Sequence, residues 1–122
     1  MGISRFEDIE CWKLARRLNI RIYALIARSR RFAHDFGLSD QIKRAAGSAM
    51  HNIAEGFDSG TSKEFSRFLT YAKRSCTEVQ SELYVALDQK YISPREFEDL
   101  YDLAEKTRAK INGFLRYLKS CN

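Results

Sequence analysis

The amino-acid sequence predicts an all-α fold, an antiparallel up-down-up-down four-helix bundle that occupies a single domain over residues 1–122. Four segments carry apolar residues at alternating steps of three and four, the spacing that places side chains on one face of a helix. The chain contains one proline, Pro94, so no helix-breaking residue lies inside these segments. The connections at 57–61 and 91–93 are short, and short connections make consecutive helices antiparallel.

The first two helices are predicted over residues 8–29 and 39–56. The regular three-four spacing of their apolar residues predicts packing at about 20° between helix axes. Gly56 is expected to end the second helix, because glycine accepts the left-handed conformation. The predicted core residues of these helices are Cys11, Ala15, Leu18, Ile22, Leu25, Ile42, Ala46, Ala49 and Ile53.

The third helix is predicted over residues 62–90, where Thr61 and Glu64 have the spacing of a capping box. The fourth is predicted over residues 94–119, where Ser93 is the cap and proline occupies the first helical position. The predicted core residues of these helices are Phe65, Leu69, Ala72, Cys76, Val79, Leu83, Ala86, Phe97, Leu100, Ala104, Thr107, Ile111, Phe114 and Leu118.

The positive charge is concentrated near the start of the chain. Residues 1–31 hold eight Lys or Arg and three Asp or Glu, whereas the remaining residues hold thirteen of each. The first helix and the turn after it therefore carry the whole net charge of +5. Helical spacing places most of these cations in one stripe, predicted to lie opposite the core face, which continues past the helix end: Lys13, Arg17, Arg21, Arg28, Arg30 and Arg31.

This basic stripe predicts contact with RNA or another polyanion, because a row of cations can follow a phosphate backbone through charge alone. A solvated helix face is the commoner role of such a stripe and remains the alternative. No aromatic residue interleaves with the stripe, so base stacking and sequence readout are not expected.

The second and third predicted helices each carry a row of polar residues, the polar seam, about 100° away from the core face of the helix. If the two seams face each other, antiparallel pairing brings Arg44 to Glu78 and Ser48 to Ser75. If they face outward, they form a subunit interface. The inward arrangement is favoured because it pairs complementary groups, and buried polar groups need such partners. The members of the polar seam are Gln41, Arg44, Ser48, Asn52, Glu55, Ser75, Glu78 and Glu82.

The sequence predicts no enzyme, no cofactor and no metal site. His34 and His51 have no second histidine or cysteine at a metal-ligand spacing. The sequence contains neither a phosphate-binding glycine loop nor a nucleophile elbow. Glu78 and Glu82 lie four residues apart, but without Glu-x-x-His motifs they do not predict a di-iron centre.

A cytoplasmic protein that does not enter the membrane is expected. No apolar run approaches the roughly 20 residues of a membrane span, and the first residues lack the apolar core of a signal peptide. Cys11, Cys76 and Cys121 form an odd, widely spaced set, which is typical of reduced thiols rather than of a disulfide framework.

The sequence resembles the four-helix-bundle proteins encoded in 23S ribosomal RNA intervening sequences. The matching stretches are FEDIECWKLARRL, FGLSDQIKRAAGSAMHNIAEGF and KEFSRFLTYAKRSCTEVQSEL, in the order and spacing of that family. The resemblance implies a small bacterial helical bundle that forms ring-shaped homo-oligomers, pentamers in particular. It also implies suspected RNA binding and no established catalysis.

Two functional hypotheses follow. The first is a non-enzymatic homo-oligomeric scaffold that binds RNA or another polyanion through the basic face of the first helix. The alternative is a protein-interaction or accessory module without nucleic-acid binding. Tyr23, Tyr71 and Tyr84 fall outside the core faces of their helices and are the candidate interface aromatics.

Overall fold

The computed structural model describes residues 2–121, and every regular element in that range is helical. The predicted all-α class is therefore confirmed. A single 3-10 turn precedes five α-helices, which are α1 (Glu10–Arg28), α2 (Arg30–His34), α3 (Phe36–Asp58), α4 (Ser62–Asp88) and α5 (Pro94–Ser120).

The short helix α2 was not predicted, because its five residues are too few to show a period. Its start is fixed by Ser29, whose hydroxyl accepts a hydrogen bond from the Phe32 amide at 3.2 Å. Phe32 is fully buried and stacks on Tyr91 with ring centroids 5.4 Å apart. Asp35 then caps α3 by accepting from the Leu38 amide, so α3 begins earlier than predicted.

The prediction that Gly56 ends its helix is wrong, since α3 continues to Asp58. A Cβ atom at Gly56 would lie 2.8 Å from both Phe65 Cδ1 and Phe68 Cβ. Gly56 is therefore needed for the close approach of α3 to α4 rather than for a left-handed turn. The left-handed conformation occurs at Gly60, where φ is 90°.

The predicted cap residues of α4 and α5 both function as caps. The Thr61 hydroxyl accepts from the Glu64 amide at 3.2 Å, but the Glu64 carboxylate pairs with Arg67 instead of completing the box. Ser93 and Glu96 form the full reciprocal box at the start of α5.

Each of the four long helices packs against two others: α3 against α1 and α4, and α5 against α4 and α1. Contacts between α3 and α4 run in opposite directions along the two helices. Ser48 hydrogen-bonds to Ser75, while Gly56, later in α3, lies against Phe65, earlier in α4.

The core lies between the four long helices. All of the predicted core residues are buried except Phe97 and Phe114, which are half-buried. Burial raises the pKa of the Cys11 and Cys76 thiols to about 12. Among residues 2–121, no helix is both long enough and apolar enough for a membrane span.

Candidate nucleic-acid interface

The six cationic residues of the predicted stripe are all exposed, but the stripe does not lie directly opposite the core. Arg21 and Arg28 line a cleft of about 280 Å³ between α1 and α5, together with Glu96 and Asp99. Because α5 packs beside α1, the stripe runs along the acidic first half of α5. Part of its positive charge is therefore offset within the same chain.

Half of the stripe already has a partner. Arg28 Nη2 lies 2.8 Å from Glu96 Oε2, and Lys13 Nζ lies 3.4 Å from Glu10 Oε1. Arg31 lies over the Tyr91 ring, with its guanidinium carbon 5.2 Å from the ring centroid. Such exposed pairs contribute about 0–1 kcal/mol each, so a strong ligand can displace them.

Three arginines of the stripe remain available. Within residues 2–121, Arg17, Arg21 and Arg30 have no carboxylate within ion-pair distance. Arg17 and Arg21 lie one turn apart, near Asp99 across a second cleft of about 260 Å³. These three guanidinium groups are the part of the stripe that is free to meet a phosphate.

The face of α1 directly opposite the core carries two exposed residues, Arg16 and Ile20, that the sequence analysis missed. Arg16 is exposed and lies over the Trp12 ring, with its guanidinium carbon 5.9 Å from the centroid. One turn later Ile20 is 56% exposed, and Tyr23 beside it is 49% exposed. The signal was present, because residues 16 and 20 lie about 180° from the core positions of α1 at 100° per residue.

The small polar residues of the seam meet between α3 and α4. Ser75 donates to Ser48 with 3.0 Å between their hydroxyl oxygens, the contact expected from antiparallel pairing. Asn52 Nδ2 donates to the carbonyl and the hydroxyl oxygens of Ser48, both at 2.9 Å. This hydrogen-bonded group lies on the same side of α3 as the close contact at Gly56.

The predicted pairing of Arg44 with Glu78 does not form within residues 2–121. Arg44 and Glu78 are both exposed, and no ion pair in residues 2–121 includes either of them. Gln41 and Glu55 are exposed as well. The small residues Gly56, Ser48 and Ser75 occupy the contact between α3 and α4, and the long side chains on either side of it extend into solvent.

Glu82 on α4 differs from the exposed long side chains of the seam, because it is only 7% exposed. Its Oε1 atom is buried and accepts no hydrogen bond from any described residue. Burial, and to a smaller extent the nearby carboxyl of Glu78, raise its pKa from 4.5 to about 7. Glu82 therefore holds a proton up to near-neutral pH.

The described residues contain no group of three histidine, cysteine or acidic side chains arranged to hold a metal ion. His34 packs edge-on against Phe36, and His51 lies on the exposed side of α3.

The family model of the 23S rRNA-intervening sequence proteins matches residues 7–113. The chain belongs to this family. A solved structure from Bacteroides thetaiotaomicron VPI-5482, described as a protein of unknown function from the S23 ribosomal protein family, superposes with a TM-score of 0.77. The two chains are 18% identical over 86% of this chain and 97% of the other, a likeness that shows the shared fold. No curated protein matches the sequence.

Proposed function

We propose that this member of the 23S rRNA-intervening sequence proteins is an antiparallel up-down-up-down four-helix bundle that self-associates and binds RNA phosphates through α1. The observation that carries the proposal is the concentration of the net charge of +5 in residues 1–31, where Arg17, Arg21 and Arg30 form no ion pair with any residue of 2–121. The family's association with ribosomal RNA agrees with such a ligand.

The binding is electrostatic. Each cation that neutralises a phosphate releases a counterion, and this release favours binding most at low salt. Arg16 widens the cationic surface toward the outer face of α1. A surface of this kind recognises the backbone of an RNA strand and contributes little to sequence preference.

Self-association into a homo-oligomer, with a pentamer suggested by the family resemblance, is supported by exposed large apolar side chains. Tyr84 is 51% exposed, Tyr71 is 37% exposed, and Ile20 on α1 is 56% exposed. Exposed apolar surface of this kind is typical of protein–protein contacts. The three free cysteines agree with a reducing, cytoplasmic setting.

The test of RNA binding is the salt dependence of affinity in Arg17→Gln/Arg21→Gln. Each cation on a single-stranded phosphate contributes about −0.7 to the slope of log affinity against log salt, so the double variant is expected to flatten it by roughly 1.4. The matched control is Lys63→Gln/Arg74→Gln, which removes the same charge from the exposed face of α4. Binding of a ribosomal RNA fragment and of an unrelated RNA of equal length is measured at several salt concentrations.

A protein-interaction module is the second candidate, and the acidic residues of α5 beside the stripe favour it. Glu96 already engages Arg28, and Asp99 lines the same cleft as Arg21. Equal slopes in the two double variants would eliminate RNA binding through α1 and support this module. Light scattering at micromolar concentration then tests self-association, which a monomer mass would contradict.

A further inference from the structure

A second polar surface lies on the other side of α1 from the acidic residues of α5. It is a groove of about 690 Å³ along the outer face of α3, with Tyr23 of α1 at its edge. Lys43, Arg44, His51 and Asn52 contribute side chains to it, and Gly47 lies among them. The groove was not predicted, because it forms only where α1 and α3 come together.

Gly47 is not explained by packing. A glycine inside a helix lowers stability by about 0.5–1 kcal/mol relative to alanine, so its presence needs a reason. A Cβ atom at Gly47 would have His51 Nε2 as its nearest neighbour, at 3.7 Å, which is ordinary contact distance. The fold would thus accept a side chain there. The missing side chain instead leaves the floor of the groove open to a ligand.

The side chains around this open floor include cations, an aromatic ring and an amide. Lys43 Nζ lies over the face of the Tyr23 ring, 5.0 Å from its centroid, so this ring face already holds a cation. Arg44 has no ion-pair partner within residues 2–121. Asn52 uses its amide nitrogen on Ser48, and its carbonyl oxygen accepts from no described residue.

Carboxylates of Asp40 and Glu55 also line the groove. Carboxylates repel phosphate, so they are not expected in a site that binds phosphate alone. A nucleotide, in contrast, combines an anionic phosphate, a flat base with a π face, and donor groups on the base edge and the ribose. The groove offers a counterpart to each of these parts.

We propose that this groove binds one unstacked nucleotide of a single-stranded RNA, an inference that rests on the proposed RNA binding by α1. The base lies over Gly47 and replaces the Lys43 ammonium on the Tyr23 ring, and Lys43 turns to the phosphate beside Arg44. The stripe on α1 then supplies charge along the strand, while the groove supplies a stacking contact that the stripe lacks.

The experiment fills the groove floor without breaking the helix. Gly47→Met adds a long side chain from a strong helix former, and Ala109→Met is the matched control that places the same side chain on the exposed face of α5. Tyr23→Leu removes the ring and serves as the second variant, because Tyr23 is half exposed and outside the core. The probes are a fluorescent oligouridylate of about ten nucleotides and an inorganic polyphosphate of similar charge. Circular dichroism and light scattering check folding and assembly in each variant.

Both Gly47→Met and Tyr23→Leu are expected to weaken oligouridylate binding about tenfold, with the salt slope and polyphosphate binding unchanged. Ala109→Met is expected to bind like the wild type. If Tyr23→Leu and folded Gly47→Met both bind oligouridylate as tightly as the wild type, the groove proposal is overturned. The proposed function still stands in that case if Arg17→Gln/Arg21→Gln flattens the salt dependence of RNA affinity. Equal loss of polyphosphate binding overturns the nucleotide assignment. If these variants change the mass of the assembly but not the affinity for RNA, the groove is a subunit interface, and the nucleotide-binding proposal is overturned.

Discussion

Gly56 and Gly47 both lie on α3, yet only Gly56 is required by the fold. A Cβ atom at Gly56 would lie 2.8 Å from atoms of Phe65 and Phe68, whereas at Gly47 the nearest atom would be 3.7 Å away. The first glycine lets α4 pack closely against α3, and the second lies in an open groove. One side of α3 therefore packs against α4, and the side that carries Gly47 is open to a ligand.

The polar groups of the two sides differ in the same way. Between α3 and α4, Ser75 donates a hydrogen bond to Ser48, and the carboxyl of Glu82 on α4 is buried with its pKa raised to about 7. In the groove, the charged side chains stay in solvent and Arg44 has no ion-pair partner in residues 2–121. Added volume on the packed side should therefore destabilise the protein, whereas substitutions on the open side should alter binding without destabilising it.

The largest effect is expected for Gly56→Ala. The added Cβ would meet Phe68 Cβ, which is attached directly to the backbone and cannot rotate away. Overpacking of this kind lowers the free energy of unfolding by about 3 kcal/mol. Urea denaturation measures it, and an unchanged midpoint would show that α3 and α4 separate easily.

Glu82→Gln should produce the next largest effect, and its sign depends on pH. The folded pKa of about 7 is above the ordinary value of 4.5, so the folded chain keeps a proton that the unfolded chain releases. The free energy of unfolding therefore falls as pH rises from about 4.5 to about 7 and levels off above that range.

Replacing this carboxyl by an amide removes that decline. Glu82→Gln should stabilise the protein by about 2 kcal/mol at pH 8 and have little effect near pH 4, as measured by urea denaturation at both pH values. Glu98→Gln is the control, because Glu98 is exposed. A stabilisation of the same size at both pH values would contradict a buried, proton-binding carboxyl.

The smallest effect, with the opposite sign from that at Gly56, is expected for Gly47→Ala. Alanine should raise the free energy of unfolding by about 1 kcal/mol, because the helix gains a better helix former and no contact becomes too close. Thermal or urea denaturation measures the change. Destabilisation at this position would mean that both sides of α3 are packed, and it would remove the distinction between the two glycines.

Most of the fold could be predicted because its signals are local to each helix. The apolar faces of the four long helices, and the cap residues Thr61 and Ser93, are set by residues within one or two turns of each other. The short α2 and the continuation of α3 through Gly56 were missed. Both depend on contacts with distant residues, namely the stacking of Phe32 on Tyr91 and the packing of Gly56 on Phe65.

The candidate sites depended more strongly on tertiary structure. The sequence alone determined which residues carry positive charge, that they share a face of α1, and the family to which the chain belongs. Only the packing of the helices decided that this stripe lies beside the acids of α5, that Arg44 points into solvent, and that Glu82 is buried. The reason is that periodicity specifies which side of a helix is apolar, whereas the neighbours of its flanks depend on how closely each pair of helices approaches.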